Sequence, residues 1–252
     1  MSVEKYISDC ESLFSEYIPQ QKINVLDIGG GNGNFAMAVK HYFGGKADVY
    51  VLDTTAYDTW NNAEFSQNIT FIRDSVEHLN TIFPEDFKFD IIFANKVFHH
   101  FVSSSYRETL NGMNNYLRMI CDLLAPEGTL CIHEHFYNGR IFDASSSLII
   151  YMITSCRIPA IVSLAKRFSA ESAGVGVCFQ SERMWLKRLH ENGFPNVILK
   201  RSPYRHLSAL KRIVLLSKGY SMNNMMICRK KEVLLLQLKA SMNASISSSL
   251  VK

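Results

Sequence analysis

The sequence predicts an α/β fold: a seven-stranded, mostly parallel sheet with helices on both faces, plus an apolar helical insertion after the fifth strand. Three observations predict it. Short apolar segments rich in Val, Ile and Phe alternate with helix-type segments up to about residue 136, the pattern of a parallel sheet joined by right-handed crossovers. The first such segment ends at Asp27 and runs into Ile28-Gly29-Gly30-Gly31-Asn32-Gly33, four glycines in six positions. With 252 residues and 47% apolar content, the chain can bury a sizeable core.

The elements follow in order. Residues 2–17 read as a helix, with Tyr6, Leu13, Phe14 and Tyr17 roughly on one stripe. The first strand begins near Lys22 and stops at the glycines. Glycine is needed where φ is positive or where the backbone approaches a ligand closely. The amides that open the next helix, about Asn34 to Phe43, are unpaired donors, so the turn is a cradle for a nucleoside-type ligand. A second strand, Asp48–Leu52, ends in Asp53 and Thr54. A third, Ile69–Arg73, is followed by Asp74 and Ser75. The fourth, Phe89–Ala94, leads into Asn95-Lys96-Val97-Phe98-His99-His100. The fifth, Gly128–Ile132, is entered from Leu123-Leu124-Ala125-Pro126-Glu127 and ends in His133-Glu134-His135. Ligands of such sheets bind at the carboxyl ends of the strands, and each of these polar groups lies at one.

The glycines alone fit two ligands. Gly31-Asn32-Gly33-Asn34-Phe35-Ala36 matches G-x-G-x-x-A, a form of the dinucleotide fingerprint. Asp27 tilts the choice. A carboxylate beside a pyrophosphate is repelled, whereas one beside a cationic sulfonium amino acid is not, so Asp27 favours S-adenosylmethionine (SAM) over NAD. Asp53 can accept both ribose hydroxyls and suits either ligand.

This ordered series spans roughly residues 20–136, with a continuation to about 231, and it resembles the class I SAM-dependent methyltransferases, whose sheet is Rossmann-like. The resemblance implies that Gly29, Gly30, Gly31 and Gly33, with Asp27, hold the methionine part of SAM. It implies that Asp53, with Thr54 next to it, binds the ribose, and that Asp74 meets the adenine amino group with Ser75 beside it. The segment from Asn95 to His100 then lines the wall between cofactor and acceptor. An N-terminal helix often covers the acceptor pocket in that family. The implied organisation is one catalytic domain over residues 1–232, with its core in 22–136 and 181–231.

Residues 137–180 read as the insertion. Its stretch 141–168 is markedly apolar, and Pro159 should split it into two helices. Residues 173–179 read as a flexible apolar loop. The core resumes with a helix from Ser181, a fair N-cap, to a stop at Gly193. A sixth strand follows at Asn196–Lys200 and a seventh, antiparallel to the rest, at Asn224–Cys228. Residues 233–252 read as a flexible Ser/Asn-rich tail. As a functional element the insertion is a lid over an apolar pocket for a phenolic, polyketide or lipid-like acceptor. Its other readings are a homodimer interface and, through Arg157, Lys166 and Arg167, a peripheral membrane contact.

Transfer to a hydroxyl or to a phenol-activated carbon also requires loss of a proton. A phenol titrates at about 10, so a base poised near neutrality helps, and histidine is the natural candidate. Strand alternation sends His133 and His135 to one face and Glu134 to the other. His135 is the expected base and His100 the second choice. Glu134 is the orienting carboxylate, and its partner must come from the other cluster. His99 and His133 read as wall or structural residues, and Phe179 and Trp185 as core. No third ligand accompanies His133, Glu134 and His135, so no metal is expected.

Composition narrows the rest. Six cysteines lack a C-x-x-C pair, the polar N-terminus does not read as a signal peptide and no apolar run reaches membrane length, so a reducing, cytoplasmic setting is expected. Residues 1–156 carry 10 Lys/Arg against 19 Asp/Glu, and residues 157–252 carry 17 against 4. That basic half raises nucleic acid as an alternative acceptor, but its cations are not interleaved with aromatic platforms. The segment Asn95-Lys96-Val97-Phe98 also lacks the Asn/Asp-Pro-Pro-Tyr/Phe motif of base N-methyltransferases of the resembled fold. An NAD-dependent oxidoreductase would need a catalytic Tyr/Lys set, and none is evident. The expected activity is methyl transfer from SAM to an O or C atom of a small, largely apolar acceptor, of the kind met in secondary metabolism.

Overall fold

The computed structural model describes residues 3–15, 17, 22–167 and 172–230. Helices and strands alternate through the first half: α1 (Val3–Phe14), β1 (Ile23–Ile28), α2 (Asn34–Phe43), β2 (Ala47–Asp53), α3 (Ala63–Ser66), β3 (Ile69–Arg73), α4 (Leu79–Ile82), β4 (Phe89–Asn95), α5 (Tyr106–Leu123) and β5 (Leu124–Gly139). The second half adds α6 (Ser145–Ser155), α7 (Pro159–Arg167), α8 (Glu182–Glu191), β6 (Asn196–Lys200), β7 (Tyr204–Arg205), α9 (Ala209–Val214) and β8 (Ser217–Arg229).

The sheet order is β3-β2-β1-β4-β5-β8-β6, with the two-residue β7 also pairing with β8. Strands β3, β2, β1, β4 and β5 pair in parallel, and β8 runs antiparallel to β5, β6 and β7. The expected seven-stranded, mostly parallel sheet is therefore present, with β7 as an eighth strand. Adjacent residues serve opposite faces. Val25, Val49 and Phe93 join Phe35, Val39, Leu13 and Phe14 on the side of α1 and α2. Leu26, Leu52 and Ile92 join Met113, Leu117, Trp185 and Leu189 on the side of α5 and α8. Two buried faces explain why β1, β2 and β4 read as nearly continuous apolar runs.

Local signals set several boundaries. Ser105 caps α5 by accepting from the Glu108 amide, the first half of a capping-box pattern. Its buried residues Thr109, Met113, Leu117 and Ile120 recur at helical spacing. Ser181 caps α8 as expected, and Gly193, at φ 98°, follows its end. Pro159 opens α7, so the expected break between two helices falls where proline is tolerated, at a first turn.

Several boundaries differ from the sequence reading. The strand β5 runs through Tyr137 and Asn138 to Gly139, because these pair with Tyr220, Gly219 and Ser217 of a β8 that begins seven residues earlier than expected. The inserted segment therefore cannot begin at Tyr137. Residues 173–179 are not a loose loop. Ala173, Val177 and Cys178 are buried, and Gly174 N, Val177 N and Cys178 N donate to Thr154 O, Thr154 Oγ1 and His99 O at 2.8–3.0 Å. The expected tail, 233–252, lies outside the described residues.

Arg188 anchors the chain where it returns from the insertion. It is buried, and it donates to Gln180 Oε1 at 3.0 Å, to Leu110 O at 2.8 Å and to Asn114 Oδ1. Gln180 in turn bridges to Phe136 of β5. An Arg188→Ala change would strand the buried Gln180 Oε1, while Asn114 Oδ1 keeps Asn192 Nδ2 at 3.0 Å. It should lower unfolding stability by about 1–3 kcal/mol in denaturant titration, the cost of one buried acceptor left without a partner.

Candidate active site

The glycine turn sits between β1 and α2, at the carboxyl edge of the sheet. Gly29, Gly31 and Gly33 hold φ of 68°, 56° and 81°, a region that side chains disfavour. Gly29 also permits a close contact, since a Cβ there would lie 2.4 Å from Val97 Cγ2. That contact joins the turn to the segment after β4. A Gly29→Ala change should push Val97 away and cost about 1–3 kcal/mol of stability by thermal melting, with a weaker SAM affinity by calorimetry. Gly30 leaves room for Asp27, whose Oδ2 would be 2.6 Å from a Cβ.

Asp27 is buried, and its Oδ2 has no hydrogen-bond partner. Its Oδ1 has one long contact, 3.5 Å from Asn95 Nδ2. Burial, only partly offset by Asn95, pushes its pKa up to about 8. The other end of the Asn95 side chain accepts from His133 Nδ1 at 2.8 Å. His133 is buried, packs edge-on against Tyr6 of α1 at 4.6 Å, and is held near pKa 4 by desolvation. A buried polar chain thus runs from the glycine turn to the N-terminal helix.

Asp53, at the end of β2, accepts from the Gly31 amide and the Thr55 amide, each at 3.0 Å. A carboxylate has about four acceptor positions, so it retains capacity for two hydroxyls. Two residues missed in the sequence clamp the turn from outside. Trp60 Nε1 donates to Gly31 O at 2.9 Å, and Thr59 Oγ1 to Asn32 O at 2.8 Å. Thr54 is exposed, and its carbonyl receives a long 3.4 Å contact from Arg73. Asp74 is tied locally to His78 Nδ1 at 2.6 Å and to the Ser75 amide at 2.7 Å, and His78 pulls its pKa down. Ser75 caps the short turn that follows by accepting from Glu77 N.

At the ends of β4 and β5 the structure shows which histidine meets Glu134. Glu134 is buried, and its carboxylate faces His99 Nδ1 at 2.9 and 3.1 Å and the His99 amide at 3.3 Å. An ionised carboxylate only accepts, so against it Nδ1 is the donor, and in the neutral imidazole Nε2 is then the free acceptor. The cross-cluster His/Glu pair expected from the sequence therefore forms, with His99 as its histidine. His135, the expected base, accepts from the Asn223 amide through Nδ1 at 3.0 Å. Desolvation lowers its pKa to about 4, so it is neutral with its proton on Nε2, and it presents a donor rather than a base. The β-bulge between Glu134 and Phe136 breaks the alternation assumed for this strand and leaves the His135 ring 6.2 Å from His99. His100 is exposed and has no side-chain hydrogen bond among the described residues.

Aromatic rings continue the wall. Phe179 packs on His99 at 4.5 Å, Tyr137 on Phe179 at 5.1 Å, and Tyr220 on Tyr137 at 5.3 Å. Phe179, read from sequence as core, is half-buried in this row, whereas Trp185 is core as expected. Lys96 is held at φ 55° with its amide on His133 O, a strained non-glycine position between the glycine turn and the histidines.

The family model described as "Methyltransferase domain" matches residues 3–199. Among curated protein sequences none matches. Solved structures of similar fold include an arsenic(III) SAM methyltransferase from Chlamydomonas reinhardtii, with 20% identity and TM-score 0.56 over 84% of this chain and 66% of that one. YcgJ from Bacillus subtilis shares 15% identity with TM-score 0.55 over 89% of this chain and 99% of that one. The CMeT domain of the citrinin polyketide synthase shares 14% identity with TM-score 0.53 over 89% of this chain and 52% of that one. The chain thus spans about two thirds of the algal enzyme, half of the synthase chain and nearly all of YcgJ.

This chain belongs to the methyltransferase-domain family, and it has the fold of solved class I SAM-dependent methyltransferases. The site fits SAM, because the orphaned, buried Oδ2 of Asp27 beside the glycine turn matches an amino cation.

Proposed function

We propose that the protein methylates an O or C atom of a small, largely apolar acceptor bearing a hydroxyl or a phenol-activated ring, with His99 taking the acceptor's proton. The observation that carries this reading is the Nδ1 bond from His99 to buried Glu134, which leaves Nε2 bare next to the Phe179–Tyr137 row.

Asp27 and the amides of Gly29, Gly30, Gly31 and Gly33 would hold the methionine part of SAM. Asp53 would hold the ribose, with Thr54, Asp74, Ser75 and Asn95 completing the contacts. When bound, SAM supplies a methyl group on a positively charged sulfur, which needs no further activation. The acceptor ring stacks on Phe179 and Tyr137. His99 Nε2 accepts the hydroxyl proton as the oxygen becomes nucleophilic, and Glu134 stabilises the resulting imidazolium. His135 Nε2–H donates to the acceptor and fixes its orientation. Aligning the two reactants in this way can remove roughly 7–11 kcal/mol of barrier. The helices α6 and α7 act as a lid. Supporting contacts are Tyr151 Oη on Ser103 O at 2.8 Å and the Cys178 amide on His99 O at 2.8 Å, which tie this region to the histidine segment.

The test is incubation with methyl-labelled SAM and separate sets of phenols, apolar carboxylic acids and RNA, read by mass spectrometry. Label in a phenolic or carboxyl product supports the reading. Label in RNA alone, or none from an enzyme that binds SAM, refutes it.

A further inference from the structure

The cationic half of the chain carries an apolar face of its own. Leu210, Ile213 and Val214 of α9, with Ile141 and Phe142 after β5, are each 50–69% exposed. The two groups are neighbours, because the Arg140 amide bonds Leu216 O at 2.7 Å, and Ser145 and Ser146 hydroxyls bond the same carbonyl at 3.2 and 3.3 Å. Arg140, Lys211 and Lys218 adjoin these residues along the chain and Arg205 pairs with Tyr220 of the neighbouring β8, and none of them makes an ion pair among the described residues. The sequence holds no Asp or Glu between Glu191 and Glu232. Asp143, the acid that follows the loop, is engaged by Arg183 at 3.4 Å.

We infer that this face, α9 with the Ile141–Phe142 loop, docks on an anionic lipid bilayer beside the mouth of the site. Exposed aliphatic side chains flanked by unpaired cations match a surface that is apolar beneath and negative at its headgroups. An isologous contact with a second copy would bring these cations toward their own symmetry mates. A nucleic acid would call for a row of stacking aromatics, where this face offers Phe142 alone among leucine, isoleucine and valine.

The position gives the docking a purpose. Ser217, at the start of β8, pairs with Gly139 at the end of β5, so the face lies at the same edge of the sheet as His99 and Glu134. Arg205 of β7 pairs with Tyr220. From Tyr220 the rings of Tyr137, Phe179 and His99 follow at 5.3, 5.1 and 4.5 Å. An apolar acceptor dissolved in the bilayer would have an aromatic track to the base. This use of the track rests on the proposed function, while the docking itself does not. No described helix is long and apolar enough to cross a membrane, so the contact is made from the surface.

The experiment is co-sedimentation of the full chain with vesicles of phosphatidylcholine alone or mixed with phosphatidylserine, at low and high salt. At least about tenfold more protein should bind the mixed vesicles at low salt, with most of that gain lost at high salt. Leu210→Ser/Ile213→Ser and Lys211→Gln/Lys218→Gln should each cut binding about tenfold, with calorimetric SAM affinity unchanged. Equal binding to both vesicle types, or binding that neither variant alters, overturns the inference. So does a dimer in light scattering that the apolar variant abolishes, or RNA binding without vesicle binding. Should a variant fail to fold, the wild-type comparison between the two vesicle types still decides. Failure of SAM binding with vesicle binding intact would count against the site, not the surface.

Discussion

Glu134→Gln is expected to lower kcat for methyl transfer by about 10²–10⁴-fold while leaving SAM affinity within a few-fold of wild type. The carboxylate takes two N–H groups from His99 and lies 3.2 Å from the His135 amide. An amide in its place has one acceptor and one donor end. It can satisfy the His99 amide only by turning its NH₂ toward the ring, which then accepts at Nδ1 and carries its proton on Nε2. The base becomes a donor without moving. His99→Gln should cost as much, because it removes the accepting nitrogen itself. His135→Asn should cost only about tenfold, since it loses one orienting hydrogen bond worth about 1 kcal/mol. Steady-state rates for the three variants, with SAM affinities measured in parallel, separate loss of the base from loss of the fold. Equal, small losses in all three would contradict the assignment.

Asp27→Asn is expected to do two opposite things: weaken SAM binding by about 100-fold and stabilise the ligand-free protein. A hydrogen bond to a charged group is worth about 1.5–3 kcal/mol, and the neutral amide cannot pair with an ammonium. The gain in stability follows from linkage. Burial raises the folded pKa of Asp27 from 3.8 to about 8. The folded state therefore binds the extra proton over that window, and the group's contribution is fully present below 3.8 and is lost as pH rises through about 8. A shift of four units corresponds to roughly 5 kcal/mol at most, so a gain of about 2–5 kcal/mol is expected for the variant at pH 8 and little at pH 4. Thermal melts across that range read it. The same proton opposes the ligand. Wild-type affinity for SAM should rise with pH up to about 8, by as much as tenfold per unit, and stop there because the ligand's own α-amino group loses its charge in the same range. The variant should show no such rise below pH 8. A variant as unstable as wild type at pH 8, with unchanged affinity, would show that Asp27 is not the amino-group partner.

Much of the parallel half was legible because its signals are local. The strand ends at Ile28, Asp53 and Asn95, the caps Ser105 and Ser181, and the break at Pro159 are each fixed by residues within one turn of where they act. Long-range pairing was not legible. Tyr137 and Asn138 look like turn residues until Tyr220 and Gly219, some eighty positions away, pair with them. The clamp of Trp60 on the Gly31 carbonyl is hidden for the same reason. The site shows both limits. The types present, two histidine clusters and one acid, suggested a His/Glu pair across the clusters, and alternation set Glu134 apart from His133. Which histidine Glu134 meets depends on a bulge in β5 and on the path of the chain after β4. The amide that occupies His135 comes from Asn223 in β8, and no feature near His135 signals it.

The proton positions on His99 and His135 test the central claim most directly, and ¹⁵N imidazole chemical shifts of the labelled, ligand-free protein at neutral pH report them. His99 is expected to be protonated on Nδ1 with a bare Nε2, collapsing to the other form in Glu134→Gln, and His135 to be protonated on Nε2. A His99 that carries its proton on Nε2 while Glu134 is intact would contradict it, and would return the role of base to another residue.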